Sequence, residues 1–384
     1  MSDQIKKTAF NSSAGTDEKQ SLLNSNNIIT ENETNYNTNE DIDYFAELKN
    51  EVRKDYMKTI TMEQLYDISY LPKLPIIEGI LYRGLYIFAG APKVGKSFAM
   101  AQIGYHISRG IDLWGRKTRQ GTVLYLALED NYQRLQNRLN KMFGIETTEE
   151  FILSTEARCI GTGLEEQIGK FVYEHKNTSL VIIDTLQKVR NTEADKYNYS
   201  TDYQTITALK KLADRYNICI LVVHHTRKQE ADDTFDSISG TNGLLGAADG
   251  AFLLQKEKRT GNKAKLSITG RDQQDQCLHL QFDTAKCLWE LVEVERDFFQ
   301  EPKDELLEKI AELLTTENPK FEGTATELIA ILGIDISANA LTRKLNVNTS
   351  RLYRDYNIYY KSERSSQKRT VVLELINDDN DGIL

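Results

Sequence analysis

The sequence predicts an α/β fold with a mainly parallel central sheet and a second, smaller domain behind it, and three observations carry that expectation. First, Gly90-Ala91-Pro92-Lys93-Val94-Gly95-Lys96-Ser97 satisfies the phosphate-loop pattern G-x-x-x-x-G-K-[ST] in full. Second, apolar runs that end in polar residues recur along the chain: Thr122 to Leu128 before Glu129-Asp130, Leu180 to Ile183 before Asp184, and Ile218 to Val223 before His224-His225. Unbroken rather than alternating hydrophobicity fits strands buried on both faces of a parallel sheet. Third, helical patterns separate these runs, with Leu135, Leu139 and Met142 in one and Ile206, Leu209, Leu212 and Ala213 in another. Strands alternating with helices make right-handed crossovers, which gather the polar strand endings at one edge of the sheet.

The chain has 384 residues, a size that favours more than one core, and a net charge of −9 that argues against a uniformly basic nucleic-acid coat. No apolar run approaches the ~18 residues needed to span a bilayer, so no membrane association and a cytoplasmic location are expected. Cys159, Cys219, Cys277 and Cys287 lack any C-x-x-C spacing and read as reduced packing residues.

Residues 1–52 are expected to be a disordered tail, since positions 1–50 hold nine Asn and nine acids against four Lys. The main domain is expected over 53–298. It opens with a short helix around Met62, Leu65 and Ile68, then the extended Leu71-Pro72-Lys73-Leu74-Pro75. Leu85 to Ala89 forms the strand before the phosphate loop, and Phe98 to Ile107 the helix after it. Beyond His225, the small-residue stretch Ser239 to Gly250 predicts close packing or a loop entering a short helix. Ala251–Gln255, Ala264–Thr269, His279–Asp283 and Leu288–Val292 read as antiparallel strands, with a hairpin at Lys258 to Asn262. A linker at Glu301-Pro302 leads to a unit over 303–378. It has a helix at Asp304 to Leu314, a capping box at Thr324 to Glu327, a third helix from Ser337 to Leu345, and a basic turn from Lys361 to Arg369 before the strand Thr370 to Leu375. Three helices and a basic hairpin describe a winged helix.

The residue types at the gathered edge suit phosphate chemistry. The loop from Gly90 to Ser97 curls its backbone N–H groups around a phosphate chain, Lys96 reaches the β- and γ-phosphates, and the Ser97 hydroxyl ligates Mg²⁺. Asp184 is placed as the second carboxylate that holds the metal through water. Glu129 is the best candidate for orienting the attacking water, with Asp130 its close competitor. His224 or His225 is placed to sense the γ-phosphate. Arg271, in Thr269-Gly270-Arg271-Asp272, is a candidate to offset developing charge in a neighbouring subunit's site.

Taken together, GAPKVGKS, YLALED, LVIIDT, LVVHHTRK, SGTNGLLGAADG and ITGRD, in that order, resemble the RecA-like ATPases of the RepA type, AAA-family proteins of plasmids and other mobile elements related to hexameric replicative helicases. The likeness spans about residues 60 to 295. It implies a RecA-like P-loop NTPase core, ATP hydrolysis with Mg²⁺, assembly into a homo-oligomeric ring, a hexamer by analogy, and movement on single-stranded DNA. Carried over by motif, it assigns Lys96 and Ser97 to nucleotide, Glu129 as catalytic carboxylate, Asp184 to the metal, His225 as sensor and Arg271 to the adjacent subunit. The C-terminal unit resembles winged helices of phage and plasmid replication proteins. Residues 338–370 hold eight Lys or Arg against two acids, interleaved with Tyr353, Tyr356, Tyr359 and Tyr360, which suits contact with DNA or a replication partner. The competing function is an ATP-dependent DNA-binding regulator that does not unwind. A kinase-type phosphotransferase shares the phosphate loop but not the two acid-ended strands.

Overall fold

The computed structural model describes residues 57, 59–190, 199–226, 235, 238, 243–258, 260–271, 273–296, 302–364 and 369–376. The tail expected over 1–52 lies outside them. Two compact units result, one from Lys73 to Glu301, the other combining the segment up to Pro72 with Pro302 onward.

The larger unit carries a nine-stranded sheet. Its strands are β1 (Gly84–Gly90), β2 (Thr122–Ala127), β3 (Phe151–Ser154), β4 (Thr178–Asp184), β5 (Cys219–His225), β6 (Gly250–Lys256), β7 (Lys263–Gly270), β8 (Gln273–Asp283) and β9 (Leu288–Arg296), in the order β3-β2-β4-β5-β1-β6-β7-β8-β9. The first six positions are parallel and the last three extend the sheet antiparallel. This is the mainly parallel α/β class the sequence predicts, with two differences. β3 is a four-residue strand too short to stand out from its neighbours in sequence. The run expected as the first antiparallel strand, Ala251–Gln255, instead joins β1 in parallel register, Tyr86 opposite Gly250 and Gly90 opposite Leu254, and turns antiparallel at the hairpin into β7.

Both faces of the parallel half are dry, which is why its strands read as unbroken apolar runs. Tyr86, Phe88, Tyr125, Ile182 and Leu221 face one side and pack with Met100 and Ile103 of the helix Lys96–Arg109. Leu85, Ile87, Val181, Ile183, Ile220 and Val222 face the other, against Ile206, Leu209, Leu212 and Ala213 of the helix Tyr199–Tyr216. At the head of β1, Leu85 donates its N–H to the Asp249 carboxylate at 2.8 Å, and Lys210 pairs with the same carboxylate at 3.0 Å.

The smaller unit contains helices Glu305–Leu313, Ala325–Leu332, Ala338–Val347 and Thr349–Tyr356 and the sheet β10 (Lys320–Gly323), β12 (Arg369–Leu375), β11 (Ile358–Arg364). The capping box at Thr324 and Glu327 forms as expected. Where the sequence predicts a single third helix, two consecutive helices break at Asn348, and β10 is an addition. Leu307, Ile310, Leu328, Leu341, Leu345, Leu352, Tyr360, Val371 and Leu373 make its core. The Thr61-capped helix Met62–Asp67 also sits in this unit rather than in the larger one, which the sequence predicts to begin near residue 53. None of its residues is buried, and it is held by polar contacts: Arg343 pairs with Glu63 at 2.7 Å and Asp67 at 2.8 Å, and Asn346 donates to the Tyr66 carbonyl at 2.9 Å.

Leu341 is fully enclosed, whereas Val347 on the same helix is exposed. Leu341→Ala is expected to lower the stability of this unit by about 2–5 kcal/mol and Val347→Ala by no more than about 0.5 kcal/mol, as read by denaturant titration.

Candidate nucleotide site

The phosphate loop follows β1 directly because Gly90 is its last strand residue and Lys96 the first of the next helix. Two glycines are required by geometry. A Cβ on Gly90 would meet the Leu254 carbonyl oxygen at 2.6 Å, and Gly95 sits at φ 109°, where a Cβ would also strike the Trp289 ring at 2.8 Å. Lys93 takes the left-handed conformation at φ 63° and carries the loop around its bend.

Lys96 is only 5 % exposed and folds back on its own loop. Its ammonium donates to the carbonyls of Gly90 at 2.7 Å and Ala91 at 3.0 Å, and stands 3.0 Å from His225 Nδ1. The β1–β5 register sets this meeting, since Gly90 lies opposite His225 and Ala89 opposite His224. Strand alternation then turns His224 to the other face. Burial lowers the His225 imidazole below its ordinary value, and the Lys96 cation lowers it further. Asp184, at the end of β4, is also buried and is hydrogen-bonded by Ser97 and by the Tyr125 hydroxyl, the latter at 3.0 Å. Burial raises its carboxyl above the usual aspartate value, partly offset by those two hydrogen bonds.

The two acids after β2 part company. Asp130 is turned into the start of the helix Tyr132–Phe143, where Arg138 holds it at 2.7 Å and Arg134 at 3.4 Å. Glu129 is exposed, accepts a hydrogen bond from Thr185 Oγ1 at 3.2 Å, and lies close enough to Lys96 and His225 to act on both through its charge. Lys96, Ser97, Asp184, Glu129 and His225 are thus gathered at one edge, and Asp130 is occupied elsewhere. Arg271 does not join them within one chain. Its side chain is exposed and donates to the Gly246 carbonyl at 3.0 Å.

Sequence inspection misses Trp289, from β9, as the wall behind the loop. Its indole donates to the Gly95 carbonyl at 3.3 Å, and its backbone is clamped by Gln102 in both directions at 2.9 Å. Trp114 adds a third bond, donating to the Trp289 carbonyl at 2.9 Å. In sequence the indole and the loop lie 194 residues apart, so no local pattern signals the contact.

The site fits a triphosphate and a hard divalent cation. The loop presents the glycine-lined cradle, and Ser97 and Asp184 offer oxygen donors already in contact with each other.

Residues 66–231 match the sequence model of a family described as an AAA domain. No curated protein matches the chain. Among solved structures, it is similar to one described as an ATPase domain, with a TM-score of 0.47 and 16% identity over 55% of this chain and 85% of that one. A structure described as a DnaB-like replicative helicase and its interactions with primase gives 0.47 and 15% over 55% and 58%. The structure of the RadB recombinase gives 0.40 and 17% over 55% and 91%.

Desolvation brings Lys96 down to about 8, against the opposing fields of Asp184 and Glu129. The group is charged in the free protein below that pH and loses its proton above it, while bound phosphates favour the ammonium. Nucleotide binding therefore takes up a proton above pH 8. Affinity for ADP, followed by titration calorimetry, is expected to be level from about pH 6.5 to about 7.5 and to fall toward about pH 9.5, by at most about tenfold per unit.

Proposed function

We propose that the chain is a Mg²⁺-dependent ATP hydrolase that acts on DNA, a ring-forming helicase or loader of the RepA type in the replication of a plasmid or other mobile element, working in the cytoplasm. The observation that carries the hydrolase part is the convergence of Lys96, Ser97, Asp184, Glu129 and His225 at the carboxyl edge of β1, β2, β4 and β5.

In this reading Lys96 leaves the Gly90 and Ala91 carbonyls to hold the β- and γ-phosphates, and the backbone N–H groups from Ala91 to Ser97 line the phosphate chain. Ser97 and Asp184 hold Mg²⁺, which neutralises charge on the phosphate oxygens. Glu129, held by Thr185, orients the attacking water and accepts its proton. His225 loses its Lys96 contact when the lysine moves, which frees it to hydrogen-bond the γ-phosphate and register whether that group is present. Arg271, at the exposed end of β7, completes the site of a neighbouring subunit.

The DNA part rests on the sequence resemblance and on the C-terminal unit, whose order of helix, strand, three helices and hairpin we read as a winged helix. The +6 charge of residues 338–370 is a poorer guide than the sequence suggests. Arg343 is paired with Glu63 and Asp67, Lys344 with Asp304, and Arg351 and Arg354 with Asp355. Tyr360, a candidate stacking residue, is buried and donates its hydroxyl to Asn346 at 2.8 Å. On the sequence resemblance, DNA contact is assigned to the basic turn from Lys361 to Arg369. The second reading is an ATP-dependent DNA-bound regulator without strand separation.

Glu129→Gln is expected to cut the ATP turnover number by roughly 10²–10⁴ while leaving ADP binding intact, and Asp130→Asn to leave the turnover number within a few-fold. Lys96→Ala is expected to abolish both binding and turnover. Steady-state hydrolysis with and without single-stranded DNA separates the two readings. A motor couples turnover to its track, and equal rates with no strand displacement would leave the regulator.

A further inference from the structure

A second concentration of positive charge lies at the opposite edge of the same sheet. Arg83 directly precedes β1, Arg119 approaches the head of β2, and Lys176 and Asn177 precede β4, so crossover topology brings them together around a depression of about 60 Å³. A seven-residue strand separates this edge from the phosphate loop, a distance of about 20 Å.

Two features distinguish this cluster from a solvated edge. Its lining has no carboxylate, and neither Arg83 nor Arg119 has an acidic partner among the described residues. The two guanidinium groups lie near enough for Arg119 to push the Arg83 pKa down, in addition to the effect of partial burial. Like charges held together at this surface give a local positive potential that a bound anion would neutralise.

We infer that Arg83, Arg119 and Lys176 form an oxyanion site for a phosphate group, separate from the nucleotide loop. Two guanidinium forks match the oxygens of a phosphate, and the Lys176 ammonium adds a point charge. The depression, about 60 Å³, has room for a phosphate group. The group comes either from a nucleic-acid backbone or from a free phosphate compound.

The test uses the full chain carrying Lys96→Ala, so that the loop does not compete, and neither of its measurements depends on hydrolysis. Inorganic phosphate is titrated by calorimetry into this protein and into the same protein with Arg83→Ala and Arg119→Ala. Binding weakened at least tenfold by the double substitution supports the site, and unchanged binding overturns it. Fluorescence anisotropy of a labelled oligo(dT) identifies the source. A loss of at least about fivefold, with a salt dependence shallower by about one to two contacts, assigns the site to a strand backbone. Unchanged oligonucleotide binding alongside lost phosphate binding assigns it to a free anion. If the double alanine substitution prevents folding, Arg83→Lys and Arg119→Lys provide the same comparison, with a loss of several-fold expected and no change overturning the inference. A changed oligomeric mass with phosphate binding unaltered would mean that the arginines bind a neighbouring chain, and the inference would be wrong.

Discussion

The resting site depends on one buried cation. Lys96 is held by two carbonyls of its own loop and by an imidazole, and that satisfaction is what lets an ammonium sit almost wholly out of water. The cost still shows in its lowered pKa, with Asp184 and Glu129 supplying the field that keeps it charged at neutral pH. The contacts that close the loop are also the ones a triphosphate must replace. In the proposed reading, nucleotide entry would also release His225 at the end of β5.

Such a loop holds its shape only if something stands behind it. The antiparallel extension supplies that support through Trp289, whose indole covers Gly95 and whose backbone is tied to Gln102 of the following helix and to Trp114. The four strands after β5 are thus more than an edge added to the sheet. They brace the turn in which Gly95 takes a conformation that a side chain could not share.

Much of this is legible in sequence because it is written locally. A phosphate loop needs its glycines and lysine at fixed spacing. Strands buried on both faces must be apolar throughout, and crossover connections dictate that Glu129, Asp184 and His225 meet. What is not legible depends on partners far along the chain. Nothing in Glu129-Asp130 says which acid is free until Arg138, a residue on the outer helix, claims Asp130. The basic run from 338 to 370 counts as +6 in sequence, but Glu63 and Asp67, on a helix near the other end of the chain, cancel the charge of Arg343. Tyr360 looks like its neighbour Tyr359, yet pleating sends one ring into the core.

Charge balance at the loop also bears on what the isolated chain lacks. One lysine faces two carboxylates there, so the site is already short of positive charge before a triphosphate arrives. Adding the phosphates beside Asp184 and Glu129 without further cations would raise the energy of both acids and of the nucleotide. A Mg²⁺ ion held by Ser97 and Asp184, as proposed, would answer part of that deficit, but among the described residues of one chain no arginine joins the cluster, and Arg271 is turned toward Gly246. This shortfall supports an arginine supplied by a second copy, since an exposed guanidinium at a strand end is better placed to serve a neighbour's site than its own. Hydrolysis would then depend on subunit contact, and protein concentration would alter turnover per chain at fixed nucleotide.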